Sequence, residues 1–82
     1  MTADLILAID QGTTGTKAIL LSERLRVLGE ATREFPQHFP RPGWVEHDLD
    51  EVFASVRGAV RAVLAKSRAR PQRIAAIGIA NQ

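Results

Sequence analysis

Leu5-Ile-Leu-Ala-Ile-Asp10-Gln-Gly-Thr-Thr-Gly-Thr-Lys17-Ala-Ile-Leu-Leu21 sets an acid and a hydroxyl-rich, glycine-punctuated loop between two apolar runs, which is the layout of a phosphate site. Each run is about five residues long and bounded by turn formers, and that length favours strand over helix. The reading is strand, loop, strand. Asp10 then falls at the carboxyl end of the first strand, where open sheets present their ligands. Gly12 and Gly15 are read as letting the backbone bend with its amides turned toward an anion. Thr13, Thr14 and Thr16 add hydroxyl donors, and Lys17 adds a cation.

Spacing excludes two better-known phosphate loops. The nucleotide-triphosphatase loop needs Gly, four residues and then Gly-Lys-Ser/Thr, whereas here Thr16 precedes Lys17. The dinucleotide fingerprint fails as well. Both of those loops open a helix whose N-terminus holds the phosphate, but Ala18 to Leu21 reads as strand. The donors must therefore be loop amides and hydroxyls. Taken alone, the stretch is also compatible with a plain glycine and threonine hairpin that ends on an aspartate.

Further along, Ser22 to Arg26 is a polar connection. Val27, Gly29 and Ala31 then alternate with Leu28, Glu30 and Thr32, a half-exposed third strand. Pro36, Pro40, Pro42 and Gly43 forbid helix or central strand, so the segment up to His47 is a loop of about a dozen residues. Trp44 in it could line a pocket or pin the loop to the domain, and the anchoring reading is preferred. His38 and His47 have no partner at ligand spacing, so no metal centre is expected there. Asp48-Leu-Asp-Glu51 has the capping-box pattern, and apolar residues at Leu49, Val52, Phe53, Val56, Val60, Val63 and Leu64 predict an amphipathic helix over 49–67. Acids cluster at its start and bases at its end, as the macrodipole prefers, and Pro71 stops any continuation. Ile74 to Ala80 reads as a fully apolar fourth strand. Its helical connection from the third strand predicts a crossover into a parallel position, which delivers Asn81 and Gln82 to the sheet edge. Strands apolar on both sides need cover on both faces, and one helix covers only one.

Composition bounds the partners. Eighty-two residues make one small domain at most, with no cysteine to staple it. A net charge of +2, spread along the chain, is no footprint for nucleic acid. The basic residues of the helix read as a solvated face. No apolar run approaches the roughly 20 residues that cross a bilayer, so no membrane partner is expected.

Asp10-Gln-Gly-Thr-Thr, Arg33-Glu-Phe-Pro-Gln, Pro42-Gly-Trp-Val-Glu-His-Asp48 and Ile74-Ala-Ala-Ile-Gly-Ile-Ala-Asn-Gln82 together resemble the glycerol kinases of the FGGY sugar-kinase family. The loop is shared with the wider actin, heat-shock chaperone and hexokinase group, whereas the Pro42 to Asp48 run is narrower. The resemblance implies a ribonuclease-H-like α/β fold with the partial order strand-strand-strand-helix-strand. It also implies that residues 1–82 are an incomplete first part of the first kinase domain of a longer enzyme. That enzyme would transfer the γ-phosphate of ATP to glycerol, giving sn-glycerol 3-phosphate, with ATP and Mg²⁺ as cofactors. By the same resemblance Thr13 and Thr14 contact the nucleotide phosphates and Gly12 and Gly15 offer amides. Asp10 places Mg²⁺ through water, and Lys17 takes the role of a nucleotide-contacting arginine, although an ammonium cannot make the bidentate fork. Thr13 and Gln82 would face the polyol, an Arg-Glu pair that holds glycerol would follow Gln82, and the aspartate base would lie further on. These residues alone are therefore expected to be inactive, with no catalytic base among them. The whole enzyme is expected to be a cytoplasmic homo-oligomer. Close relatives in that family often carry glycine where Leu25 stands, so Leu25 implies a different turn, with its side chain covering the sheet edge. Two alternatives stay open: another polyol or sugar kinase of the family, such as a xylulokinase, and a non-catalytic nucleotide-binding module of the actin type.

Overall fold

The computed structural model describes residues 3–81, so Gln82, assigned above to substrate, lies outside the described residues. Strands β1 (Leu5–Gln11), β2 (Gly15–Ser22) and β3 (Val27–Glu34) are followed by helix α1 (Leu49–Ser67), a 3₁₀ turn (Pro71–Arg73) and strand β4 (Ile74–Asn81), the order read from the sequence. The sheet runs β3-β2-β1-β4. β1 pairs antiparallel with β2 and parallel with β4, so the carboxyl ends of β1 and β4 share one edge. The parallel start is fastened by Arg73, whose guanidinium bonds both carboxylate oxygens of Asp4 at 3.0 and 2.8 Å. That bonding holds the Asp4 carboxyl below the usual carboxylate range.

The period-2 pattern puts Leu5, Leu7, Ile9, Ala18 and Leu20 on one face, where they pack on Ala59 and Val63 of α1. Each large side chain buried there contributes about 1.5 to 3 kcal/mol relative to exposure. The helix begins at Asp48, whose carboxylate accepts from the N–H groups of Asp50 and Glu51 at 2.8 and 3.4 Å. The expected capping box is only half made: the Glu51 carboxylate bonds His38 instead of reaching back. The helix ends at Ser67, where the sequence put it: Arg68 follows in the left-handed region (φ 54°), and the Ala69 N–H bonds the Leu64 carbonyl at 3.0 Å, a Schellman closure completed before Pro71 is reached.

The apolar helix stripe departs from expectation at its start. Ser55, Ala59 and Val63 are the buried positions, whereas Leu49 and Phe53 stay 82% and 59% exposed. The reason is placement: α1 lies over β2 and β3 and only grazes β1. Small residues let it approach closely, to the point that a Cβ on Gly29 would meet Ser67 Oγ at 2.3 Å. One helix therefore covers only half of one face, and Ile77 and Ile79 of β4 remain 59% and 71% exposed on the same side.

Leu25 also corrects the sequence reading. It adopts φ 62°, the conformation in which glycine is at ease, so the turn is of the glycine type with a leucine in it. Its N–H bonds the Ser22 carbonyl at 2.8 Å, and its side chain is 67% exposed rather than laid over the sheet edge.

Candidate functional site

β1 and β2 are joined by a tight turn at Thr13 and Thr14, closed by the Gly12 N–H on the Gly15 carbonyl at 2.9 Å. Gln11 Nε2 donates to the Gly12 carbonyl at 2.7 Å. Both threonines are exposed at the carboxyl edge, as the strand-loop-strand reading requires.

The glycines work differently from expectation. Neither Gly12 nor Gly15 has a positive φ, and the Gly12 amide is spent inside the turn rather than offered outward. Gly15 is required by close approach: a Cβ there would stand 2.7 Å from the Arg33 carbonyl oxygen and 3.0 Å from Glu34 Cα. Beside Gly12 the space is open, with only the Gly15 carbonyl within reach at 3.7 Å.

Alternation divides the remaining residues between two faces. Asp10 and Lys17 are register partners, and both project on the face away from α1. Both are exposed and make no ion pair among the described residues, so the Asp10 carboxylate keeps its full acceptor capacity. Ala80 is its register neighbour on β4, and at nearby Gly78 a Cβ would touch nothing. Small residues thus leave the floor beside Asp10 open. No cluster of three metal-ligating side chains occurs among the described residues. Thr16, in contrast, is on the helix face and fully buried, its hydroxyl 2.8 Å from Ser55 Oγ; it is not an anion donor.

The carbonyls of the turn are engaged from outside. The Phe35 N–H donates to the Thr14 carbonyl at 3.2 Å, and Gln37 Nε2 to the Thr13 carbonyl at 3.0 Å. No acceptor for the Thr14 N–H occurs among the described residues.

Trp44 does not pin the loop to the domain. It is 55% exposed and stacks on Arg41 of its own loop at 5.0 Å. The anchors are the histidines: His38 bonds Glu51 of α1, and His47 bonds Gln37 at 2.8 Å while standing edge-on to the buried Phe35 ring at 5.1 Å. Glu51 draws the His38 pKa above its ordinary value, chiefly through their hydrogen bond. Sequence reasoning missed Gln37, His47 and Ser55 as site-holding residues; only the Phe-Pro-Gln run hinted at the first.

Residues 5–82 match the family described as FGGY family of carbohydrate kinases, N-terminal domain. A glycerol kinase of Myxococcus xanthus is 51% identical over 98% of this chain, and one of Halalkalibacterium halodurans is 51% identical over all of it. The chain spans 16% of the length of each of these relatives. Among solved structures, a xyloylose kinase from Brucella ovis superposes on 95% of this chain and 16% of its own, with a TM-score of 0.84 and 33% identity. The ADP-bound glycerol kinase of Plasmodium falciparum covers 99% of this chain and 16% of its own, with a TM-score of 0.80 and 27% identity. The mixed sheet with its helix is accordingly part of the ribonuclease-H-like fold of these kinases, and the chain belongs to the FGGY family of carbohydrate kinases.

Proposed function

We propose that the protein is an ATP-dependent kinase of glycerol and that the β1–β2 turn takes the phosphates of the nucleotide. The observation that carries this is the turn itself: exposed threonines, an unpartnered Thr14 amide and an unpaired acid and lysine gather at one sheet edge. Phosphoryl transfer needs little more from a protein than positioned donors and neutralised charge.

In this reading Thr13 and Thr14 bond phosphate oxygens through their hydroxyls, and Lys17 supplies a point charge. Gly12 leaves room for close approach, and Gly15 keeps the turn in register with β3. Asp10 would hold Mg²⁺ through its waters, and the ion would supply charge neutralisation to the phosphates. Thr13 and Gln82 border the acceptor polyol. No base is assigned within residues 1–82, nor is activity proposed for these residues by themselves. Cytoplasmic placement and homo-oligomeric assembly are carried over from the family expectation. Within the described residues, no helix is long and apolar enough to cross a membrane.

Glycerol is favoured over other acceptors by identity. Eight curated glycerol kinases, among them those of Carboxydothermus hydrogenoformans and Agrobacterium fabrum, stand at 46 to 52% across nearly the whole chain, which supports glycerol, although among solved structures the Plasmodium falciparum glycerol kinase at 27% lies below the xyloylose kinase at 33%. The test is coupled ADP release by the full-length protein with glycerol, xylulose or gluconate as acceptor. Glycerol should give by far the highest kcat/KM. A preference for another polyol would reassign the substrate, and ADP release indifferent to every acceptor would refute the kinase reading.

A further inference from the structure

We propose that loop 36–48 is a brace for the phosphate turn, with Gln37 as a positioning residue and His47 as the residue that orients it. The inference rests on the reading of the turn as a nucleotide-phosphate site. The Gln37 side chain has a single consistent placement. Its amide nitrogen donates to the carbonyls of Thr13 at 3.0 Å and Phe35 at 3.4 Å, and its Oε1 meets His47 Nε2 at 2.8 Å. A flipped amide would aim oxygen at two carbonyl oxygens, so Oε1 must accept, and His47 presents Nε2–H to it. The Phe35 ring, itself buried, packs edge-on against that imidazole at 5.1 Å. The loop is closed on itself by the reciprocal backbone bonds of His38 and Glu46 at 3.0 and 2.7 Å. It is tied to α1 by His38 on Glu51.

Peptide planarity gives the brace its purpose. In a trans peptide the C=O and the following N–H point in opposite directions, and no cis bond occurs among the described residues. With the Thr13 carbonyl held toward Gln37, the Thr14 N–H must point away from loop 36–48. That amide has no acceptor within the described residues. Without Gln37 the peptide between two exposed threonines can rotate, and the donor loses its direction. Gln37 does not touch the phosphate; it acts by fixing the plane of the Thr13–Thr14 peptide.

The experiment compares Gln37→Ala, His47→Ala, their double variant and His47→Gln in the full-length protein. It reads KM for MgATP, KM for glycerol, kcat and the unfolding midpoint. Loss of one oriented hydrogen bond predicts a KM for MgATP raised about 3- to 10-fold in Gln37→Ala, with KM for glycerol and the midpoint close to wild type. His47→Ala should shift KM for MgATP in the same direction by less, and the double variant should be no worse than Gln37→Ala. His47→Gln keeps an N–H donor and should recover most of the loss. Thr13→Val serves as the direct control. If the wild type uses MgATP and Thr13→Val impairs it while Gln37→Ala does not, the brace is refuted and the phosphate reading stands. If the wild type neither binds nor turns over MgATP, the phosphate reading falls and the brace with it. A lowered midpoint with equal changes in both KM values would make Gln37 merely structural and overturn the proposal.

Discussion

The two glycines of the turn should respond in opposite ways to the same methyl group. In Gly15→Ala the new Cβ would lie 2.7 Å from the Arg33 carbonyl oxygen and 3.0 Å from Glu34 Cα, both backbone atoms of a paired strand that cannot step aside cheaply. Overpacking of that kind costs about 1 to 3 kcal/mol. Because the φ of Gly15 is not positive, alanine adds no dihedral strain. It also removes unfolded-state freedom, which returns about 0.4 to 1 kcal/mol. The net expectation is a loss of about 1 to 2 kcal/mol, felt where β2 meets β3. In Gly12→Ala the nearest atom is the Gly15 carbonyl at 3.7 Å, an ordinary contact, so stability should change by less than about 0.5 kcal/mol. Any loss there should appear in KM for MgATP instead. Native-state hydrogen exchange of the Phe35 amide, which bonds the Thr14 carbonyl, reads the first effect locally. Opening should become roughly 5 to 30 times more frequent in Gly15→Ala and stay near wild type in Gly12→Ala. Equal protection in the two variants would refute the claim that Gly15 is fixed by strand approach.

Leu25→Gly should stabilise by up to about 1 kcal/mol, since it relieves a left-handed leucine and forfeits only an exposed side chain; a lowered melting midpoint would contradict this. Ser67→Ala should be neutral or stabilising by about 1 kcal/mol, because the buried Ser67 hydroxyl has no hydrogen-bond partner among the described residues. Clear destabilisation in a denaturant titration would show that the hydroxyl has a function. His38 should titrate above the ordinary histidine value of about 6.5, held up by Glu51 first and by Asp48 and Glu46 behind it. Since the folded-state pKa is the raised one, its contribution is complete below the unfolded value and is lost as pH rises through the folded value. An imidazole NMR titration of Glu51→Gln should return His38 toward its ordinary value. An unchanged titration would remove Glu51 as the cause.

How much of this was legible in the sequence depended on the distance over which each cause acts. Strand alternation, the Asp48 cap and the helical period are set by neighbours within four residues, and β1, β2, α1 and β4 stand where those signals put them. Leu49 and Phe53 obeyed the period and yet stay exposed, because a period says which residues share a face and not whether another element lies opposite. Leu25 was misread for the same reason. Its identity argued against a left-handed turn, but Ser22 offers its carbonyl to the Leu25 N–H and its hydroxyl to the N–H groups of Arg24 and Arg26. Those bonds hold the conformation against the preference of the side chain. In the loop, the misplaced weight on Trp44 has a related cause. A tryptophan offers more apolar area than a histidine, but the area anchors a loop only if it meets a surface. Trp44 found Arg41 and stays 55% exposed, while His47 met Phe35 and Gln37, which reaches the turn from outside. Gln37 and Thr13 lie 24 residues apart, beyond the reach of any local pattern. What joins them is the antiparallel return of β3 alongside β2, which carries the chain past Phe35 to the very turn that β1 and β2 make. The brace is therefore a consequence of strand order, and it becomes visible only once the sheet has been assembled.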